Sequence, residues 1–453
     1  MGYIEEFITN PQEDYRLELS EHINNEFNET KFIDRCTDGS KGAFSRSPTL
    51  TLKKLMLFIM TSHKALQRDL DHFYKKINSS DYSIREVTKG AFSTARNKLN
   101  EWGFKRLNEV CVDFFYANAP YHKWKGFRLL AVDGSRLQLP NHQSVKEEFG
   151  EIQTGRNGDT PRSMATCSLL YDVLNQVTLD AQIGPYKNTS KKKAGELTLF
   201  EDHLPKLQAG DLVLLDRGYP SILLFFKLIS KQIDFCVRMK GSWWKEVRAF
   251  RESNLTQKIV SFELPPKDIE RMKKHTKNIP TKVYCRLIKV VLDTGEIEIL
   301  CTSLTDTEKY LEEEFKALYH LRWNEEEAYK LLKSRIEIER FTGKKAKAIK
   351  QDLQAKVFLM SLMAAYAHPI EEKVREEYKA DEIRKYDQKI NRTNALAMTR
   401  DILVGMFCKA DYSGALNAFD QIVSKTREVI RPGRKNERKH RPKKPYSMNY
   451  KPL

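Results

Sequence analysis

The chain changes its hydrophobic rhythm twice. Up to about residue 120 the apolar positions recur at helical spacing. Over residues 52–77, Leu55, Phe58, Ile59, Leu66, Leu70 and Phe73 recur in this way, and Asn78-Ser79-Ser80 ends the pattern. The next stretch, SIREVTKGAFSTARNKLNEWGFKRL, suits a short helix, a Thr-Lys-Gly break and a second helix displaying Ser93, Arg96, Asn97 and Lys98. That outline is a helix-turn-helix, whose second helix reads base edges, and it makes Arg96 and Lys98 candidate DNA contacts. An amphipathic helical hairpin with solvated charges fits the same residues equally well.

The centre switches to short apolar runs. FRLLAVDG (127–134) reads as a buried strand ending in Asp-Gly, and ATCSLLYDV with NQVTLDAQI as a hairpin around 171–175. LVLLD (212–216) is a short apolar strand that needs cover on both faces. Helices at about 194–206 and 220–230, and a strand DFCVRM at 234–239, complete the order β-β-β-α-β-α-β. Three antiparallel strands followed by parallel strands with crossover helices is the ribonuclease-H-like order, an α/β fold with a mixed sheet and helices on both faces. After Gly241, KVYCRLIKVVL and EIEILCTS flank Asp293-Thr294-Gly295, a hairpin signal. A mostly β insertion is expected there, then a long helix from about Asp306.

The pattern divides the chain into a helical N-terminal DNA-binding region (1–120), a catalytic domain in two pieces (121–240 and 305–345), a β-rich insertion (241–304), a helical C-terminal region (346–430) and a tail (431–453). The tail holds nine Lys or Arg against one Glu, with repeated prolines, and reads as a disordered basic segment.

Charge sharpens this outline. The chain carries 78 basic and 61 acidic side chains, a net charge of +17. Such an excess faces phosphate, in nucleic acid or anionic lipid, or serves solubility alone. Residues 357–367 are too short an apolar run to span a bilayer and read as a buried helix, and the acidic opening MGYIEEFITNPQEDY lacks the apolar run of a signal peptide. The seven cysteines lie scattered without metal-ligand spacing, as expected of reduced thiols in a cytoplasmic protein without zinc.

Candidate chemistry gathers at three places. On a continuous helix turning about 100° per residue, with Tyr319 set at zero, Arg322 falls near 300°, Glu326 near 340° and Lys333 near 320°. This polar stripe borders the apolar stripe of Leu318, Leu321, Ala328 and Leu332, as a cleft wall would; an exposed helix laced with ion pairs also fits. Asp133 ends the first strand and Asp216 ends the strand after the first crossover helix, and sites in open α/β sheets cluster at such ends. Two carboxylates there repel unless cations neutralise them, and hard oxygen donors without a His/Cys cluster point to Mg²⁺ or Mn²⁺.

AVDGS, LLDRGYPS and the spacing Tyr-x2-Arg-x3-Glu-x6-Lys, met by Tyr319, Arg322, Glu326 and Lys333, resemble bacterial insertion-sequence transposases with a DDE triad, the IS-four family. The resemblance covers roughly residues 85–345. It implies that Asp133, Asp216 and Glu326 are catalytic and bind two metal ions, and that Tyr319, Arg322 and Lys333 contact DNA phosphates. It further implies a β insertion before the glutamate, double-stranded DNA (terminal inverted repeats and target) as partner, and a homodimer that synapses two element ends. The expected protein is cytoplasmic and nucleoid-associated, without a membrane. It cleaves element ends and transfers their 3′-hydroxyls to target DNA. The alternatives are a ribonuclease-H-like nuclease without strand transfer and a non-catalytic DNA-binding derivative. Some relatives form a DNA hairpin at the cut end, which makes Trp243, Trp244 and Trp323 candidate platforms for a flipped base.

Overall fold

The computed structural model describes residues 14–37, 43–44, 49–62, 65–154, 160–190, 192–242, 244–276 and 278–431. The basic tail, apart from Arg431, and Trp243 lie outside them.

Alternation and apolar runs build one sheet from β1 (Arg128–Gln138), β2 (Met164–Asp172), β3 (Thr178–Pro185), β4 (Asp211–Leu215), β5 (Asp234–Met239), β6 (Gln257–Glu263), β7 (Lys282–Val291) and β8 (Ile297–Thr302). Its eight strands run in the order β3-β2-β1-β4-β5-β8-β7-β6. The first five reproduce the ribonuclease-H-like arrangement. β1 is antiparallel to β2, and β2 to β3. β4 is parallel to both β1 and β5. Parallel neighbours need crossovers, and the helices Glu196–His203 and Ile222–Ser230 lie in those connections. β4 is buried along its whole length, as its unbroken apolar run requires.

The expected insertion has β strands, and it also carries the helices Lys245–Glu252 and Pro266–Lys273. Its strands continue the central sheet, because β8 pairs antiparallel with β5 from Ile299↔Met239 to Thr302↔Cys236. Trp244 packs at this junction, 4.9 Å from Phe262 and 5.6 Å from Phe225 between ring centroids. Its ring is therefore used in joining the insertion to the core, and the expectation that Trp244 offers a face to a base is corrected.

Helices cover the sheet. The 32-residue helix Ala346–Glu377 contains the apolar run 357–367 and is buried through most of its length. It lies on β3, where Ser361 Oγ donates to Thr178 O at 2.9 Å and Gln354 Nε2 to Ala181 O at 2.8 Å. The N-terminal helices pack against the same rod: Lys356 Nζ donates to Ile59 O at 3.0 Å, and Arg16 Nη1 to Tyr366 O at 3.1 Å. Residues near both ends thus share one hydrophobic core with the sheet. Among the described residues no helix is long and apolar enough to cross a membrane.

The N-terminal reading needs a correction. Thr88 caps the helix Lys89–Asn97 by accepting from Ala91 N, but no helix forms in the SIREV segment before it. Arg96, expected to read bases, is 5% exposed. It donates to Asp352 Oδ1 at 2.8 Å, Gln351 Oε1 at 2.7 Å and Ala348 O at 2.8 Å. The alternative amphipathic packing supplies the reason: Arg96 shares the inward face with Phe92 and is neutralised there. Lys98 is exposed at the C-cap of the same helix.

Candidate active site

β1 does not stop at Asp133, as the Asp-Gly pair suggested, but runs on to Gln138. What stops is its parallel partner: the β1–β4 ladder ends at Val132↔Leu215. Asp133 and Asp216 are the next residues on the two neighbouring strands, so they are brought together at the carboxyl ends as expected. Each meets an arginine. Arg322 Nη1 lies 3.7 Å from Asp133 Oδ2, and Arg238 Nη2, from β5, lies 3.0 Å from Asp216 Oδ1. Arg238 is held from behind by Glu298 of β8. Burial raises the Asp133 carboxyl above its usual range; the Gly134 amide and Arg322 pull it down, and Asp216 adds to the rise.

The glutamate helix differs from the expected one. It begins at Glu314, not near Asp306, and consists of α-turns at Glu314–His320 and Asn324–Lys330 separated by a 3-10 turn at Leu321–Trp323, with a π turn at Leu331–Arg335. A 3-10 turn advances about 120° per residue in place of about 100°, so three residues rotate everything after them by roughly 60°. Glu325 needs no such shift to face inward: even at about 100° per residue it falls near 240°, inside the apolar stripe. Its carboxylate is fully buried and accepts the Asp133 N–H at 2.9 Å, while Oε2 has no hydrogen-bond partner. Burial, then the Asp133 charge, pushes the Glu325 carboxyl well above its ordinary range. Glu326 is half-buried on the same turn.

The other signature residues lie along this helix. Tyr319 is buried and its hydroxyl donates to Leu215 O at 3.2 Å, bracing the end of β4 beside Asp216. As it stands this hydroxyl is used on the protein itself, so Tyr319 supports the site from within. Arg322 is 3% exposed and its guanidinium lies 5.3 Å from the ring centre of Trp323, itself 44% exposed. Lys333 Nζ donates to Arg136 O at 2.6 Å. Tyr329 adds a tie that the spacing did not reveal: its hydroxyl donates to Asp133 O at 2.8 Å.

Glu196, at the start of the helix after β3, was also not singled out. Burial, then Asp133 and Asp216, raises its carboxyl above the usual range, with Arg136 acting the other way. A carboxyl at the first position of the first crossover helix is the signal that could have found it. Arg238 was visible as the lone cation in the apolar strand DFCVRM.

Among the described residues no three His, Cys, Asp or Glu side chains form a ready-made metal-ligand set. The donors nonetheless suit a hard divalent ion: carboxylate oxygens from three elements, with the buried Glu325 Oε2 unpartnered beside Asp133.

A sheet in the order 3-2-1-4-5 with acidic residues at the ends of its two central parallel strands defines a ribonuclease-H-like catalytic domain. The family described as Transposase DDE domain matches residues 124–363, more than half of the chain, and the chain belongs to this family of DNA transposases. It is 24% identical over 335 residues to the transposase InsG for insertion sequence element IS4 of Escherichia coli (strain K12), covering 71% of each chain. A cryo-EM structure of the piggyBac transposase synaptic complex with hairpin DNA overlays with a TM-score of 0.47 at 9% identity, covering 89% of this chain and 85% of that one.

Proposed function

We propose that the protein binds the ends of an insertion sequence, cleaves them and transfers their 3′-hydroxyl ends to target DNA, with Asp133, Asp216 and Glu326 holding two Mg²⁺ or Mn²⁺ ions. The observation that carries this reading is the placement of Asp133 and Asp216 side by side where the β1–β4 ladder ends. When bound, such ions lower the pKa of an attacking water or hydroxyl and stabilise the leaving oxygen.

The chain's own groups do the rest. Arg322 and Arg238 offset the carboxylates and stand ready to offset charge on the scissile phosphate; arginine can do this with two parallel hydrogen bonds. Lys333 contributes a further positive charge along the same wall. Tyr319 and Tyr329 hold the strand ends in place, and fixed donors and acceptors need no rearrangement as charge develops. The excess of cations over the whole chain attracts DNA without regard to sequence. Two copies bringing two element ends together complete the reading.

The test is strand transfer on the element's own ends. Asp133→Asn, Asp216→Asn and Glu326→Gln should each abolish cleavage and joining while end-binding persists. Glu325→Gln runs in parallel, since its carboxylate is the one on the Asp133 amide. Normal transfer by Asp133→Asn or Asp216→Asn removes the reading. Loss with Glu325→Gln but not Glu326→Gln moves the third ligand by one residue.

A further inference from the structure

The Glu196 carboxylate is wedged between the two aspartate motifs. A Cβ placed on Gly134 would lie 2.6 Å from its Oε1, and one on Gly218 would lie 3.0 Å from its Oε2. At the first distance the Glu196 side chain would have to move aside for any Cβ on Gly134. A third acidic side chain thus occupies the space above the glycines of both Asp133-Gly134 and Asp216-Arg217-Gly218.

The surroundings make this placement costly unless a cation is shared. Glu196 is half-buried, and among the described residues no hydrogen bond or ion pair engages its carboxylate. Asp133 and Asp216 each have an arginine in an ion pair; Glu196 has those two aspartates as neighbours, with Arg136 the cation that acts on it. Glu325, whose Oε1 accepts the Asp133 N–H, adds a fully buried Oε2 without a hydrogen-bond partner. A charged oxygen among like charges is unfavourable without a counter-charge. We infer that Glu196 is a fourth carboxylate of the cation-binding centre, contributing an oxygen to a divalent ion held by Asp133 and Asp216. The inference rests on the metal-dependent reading above.

Local structure agrees with a fixed role. Gly195 adopts φ of +129° and the helix begins at Glu196, so the carboxylate is presented from a rigid first turn, with Leu199 and Phe200 buried behind it. Leu199 also closes on Gly184 of β3, where a Cβ would meet its Cδ2 at 2.9 Å.

Mn²⁺ binding to the full chain without DNA, followed by the electron paramagnetic resonance signal of free Mn²⁺, tests this directly. Asp133→Asn should weaken binding, and Glu196→Gln, similar in shape, should weaken it by about tenfold or more or remove one ion. Unchanged affinity and stoichiometry in Glu196→Gln, with Asp133→Asn impaired, overturns the role of Glu196 alone. Unchanged binding in both overturns the metal centre itself. Should Glu196→Gln fail to fold, the native chain still decides: with Fe²⁺, ascorbate and peroxide, backbone cuts should appear near 196 as well as near 133 and 216. Cuts near 133 and 216 without one near 196 overturn the inference.

Discussion

Arg238 bridges two carboxylates, with Nη2 3.0 Å from Asp216 Oδ1 and Nη1 on Glu298. Its guanidinium occupies the side of Asp216 that an incoming cation would approach by charge. Removing it trades one counter-ion for another. Arg238→Gln should bind Mn²⁺ more tightly in the absence of DNA, by about three- to tenfold for a partly solvated pair. It should nevertheless cleave more slowly, because the phosphate loses a positive neighbour. Titration of Mn²⁺ against both proteins checks this; equal or weaker binding by the variant shows that Arg238 does not compete for Asp216.

Arg96 gives a prediction opposite to that of a base-reading residue. Its ion pair with Asp352 is 6% and 3% exposed at the two side chains. Breaking a buried pair from one side strands a charge and costs about 3–5 kcal/mol. Arg96→Met should therefore lower the urea midpoint substantially, while the folded fraction retains its preference among DNA ends. A stable variant with relaxed sequence preference would return Arg96 to the DNA interface.

His368 makes stability depend on acidity. Burial lowers its imidazole to about 4; Glu372 and Glu371 act against that fall and His122 adds to it. The unfolded residue titrates near 6.5, so the unfolded chain takes up the proton first as pH falls. The neutral folded histidine thus supports the fold above about pH 6.5, and that support is lost progressively as pH drops towards 4. Between pH 7 and pH 5 the loss is ~2 kcal/mol. Urea denaturation at both pH values should show a fall smaller by about this amount in His368→Gln. Parallel falls in the two proteins would dismiss the histidine.

Trp323 remains as a face for a displaced base, being 44% exposed beside Arg322. Stacking can return ~1–3 kcal/mol per base against a flipping cost of a few. With 2-aminopurine near the element end, the native protein should brighten the probe and a folded Trp323→Ala should not. No brightening with the native protein removes the hairpin proposal.

What could be read in advance was what depends on short stretches of chain. The apolar run before Asp216 and the hairpin around 171–175 specify the first five strands, because each pairs with a neighbour that its own pattern demands. The union of β5 with β8 was hidden, since Met239 and Ile299 lie far apart and nothing local marks which edge the insertion chooses. The two aspartates were visible as strand ends. The buried Glu325 was within reach, since a uniform turn of about 100° already sets it in the apolar stripe, but the Tyr-Arg-Glu-Lys spacing pointed to its neighbour Glu326. Glu196 escaped notice because its meaning comes from Gly134 and Gly218, which precede and follow it in the chain and meet it only where the β1–β4 ladder ends.

The peptide of Asp133 is gripped at both of its polar groups by one helix: Glu325 takes its N–H and Tyr329 caps its carbonyl. Strand and helix are therefore riveted at the residue where the chemistry is expected. Any shift of that helix acts on the Asp133 main chain through two hydrogen bonds. Acid from the sheet and acid from the helix are thus held in one alignment by main-chain atoms that no side-chain substitution at Asp133 can remove.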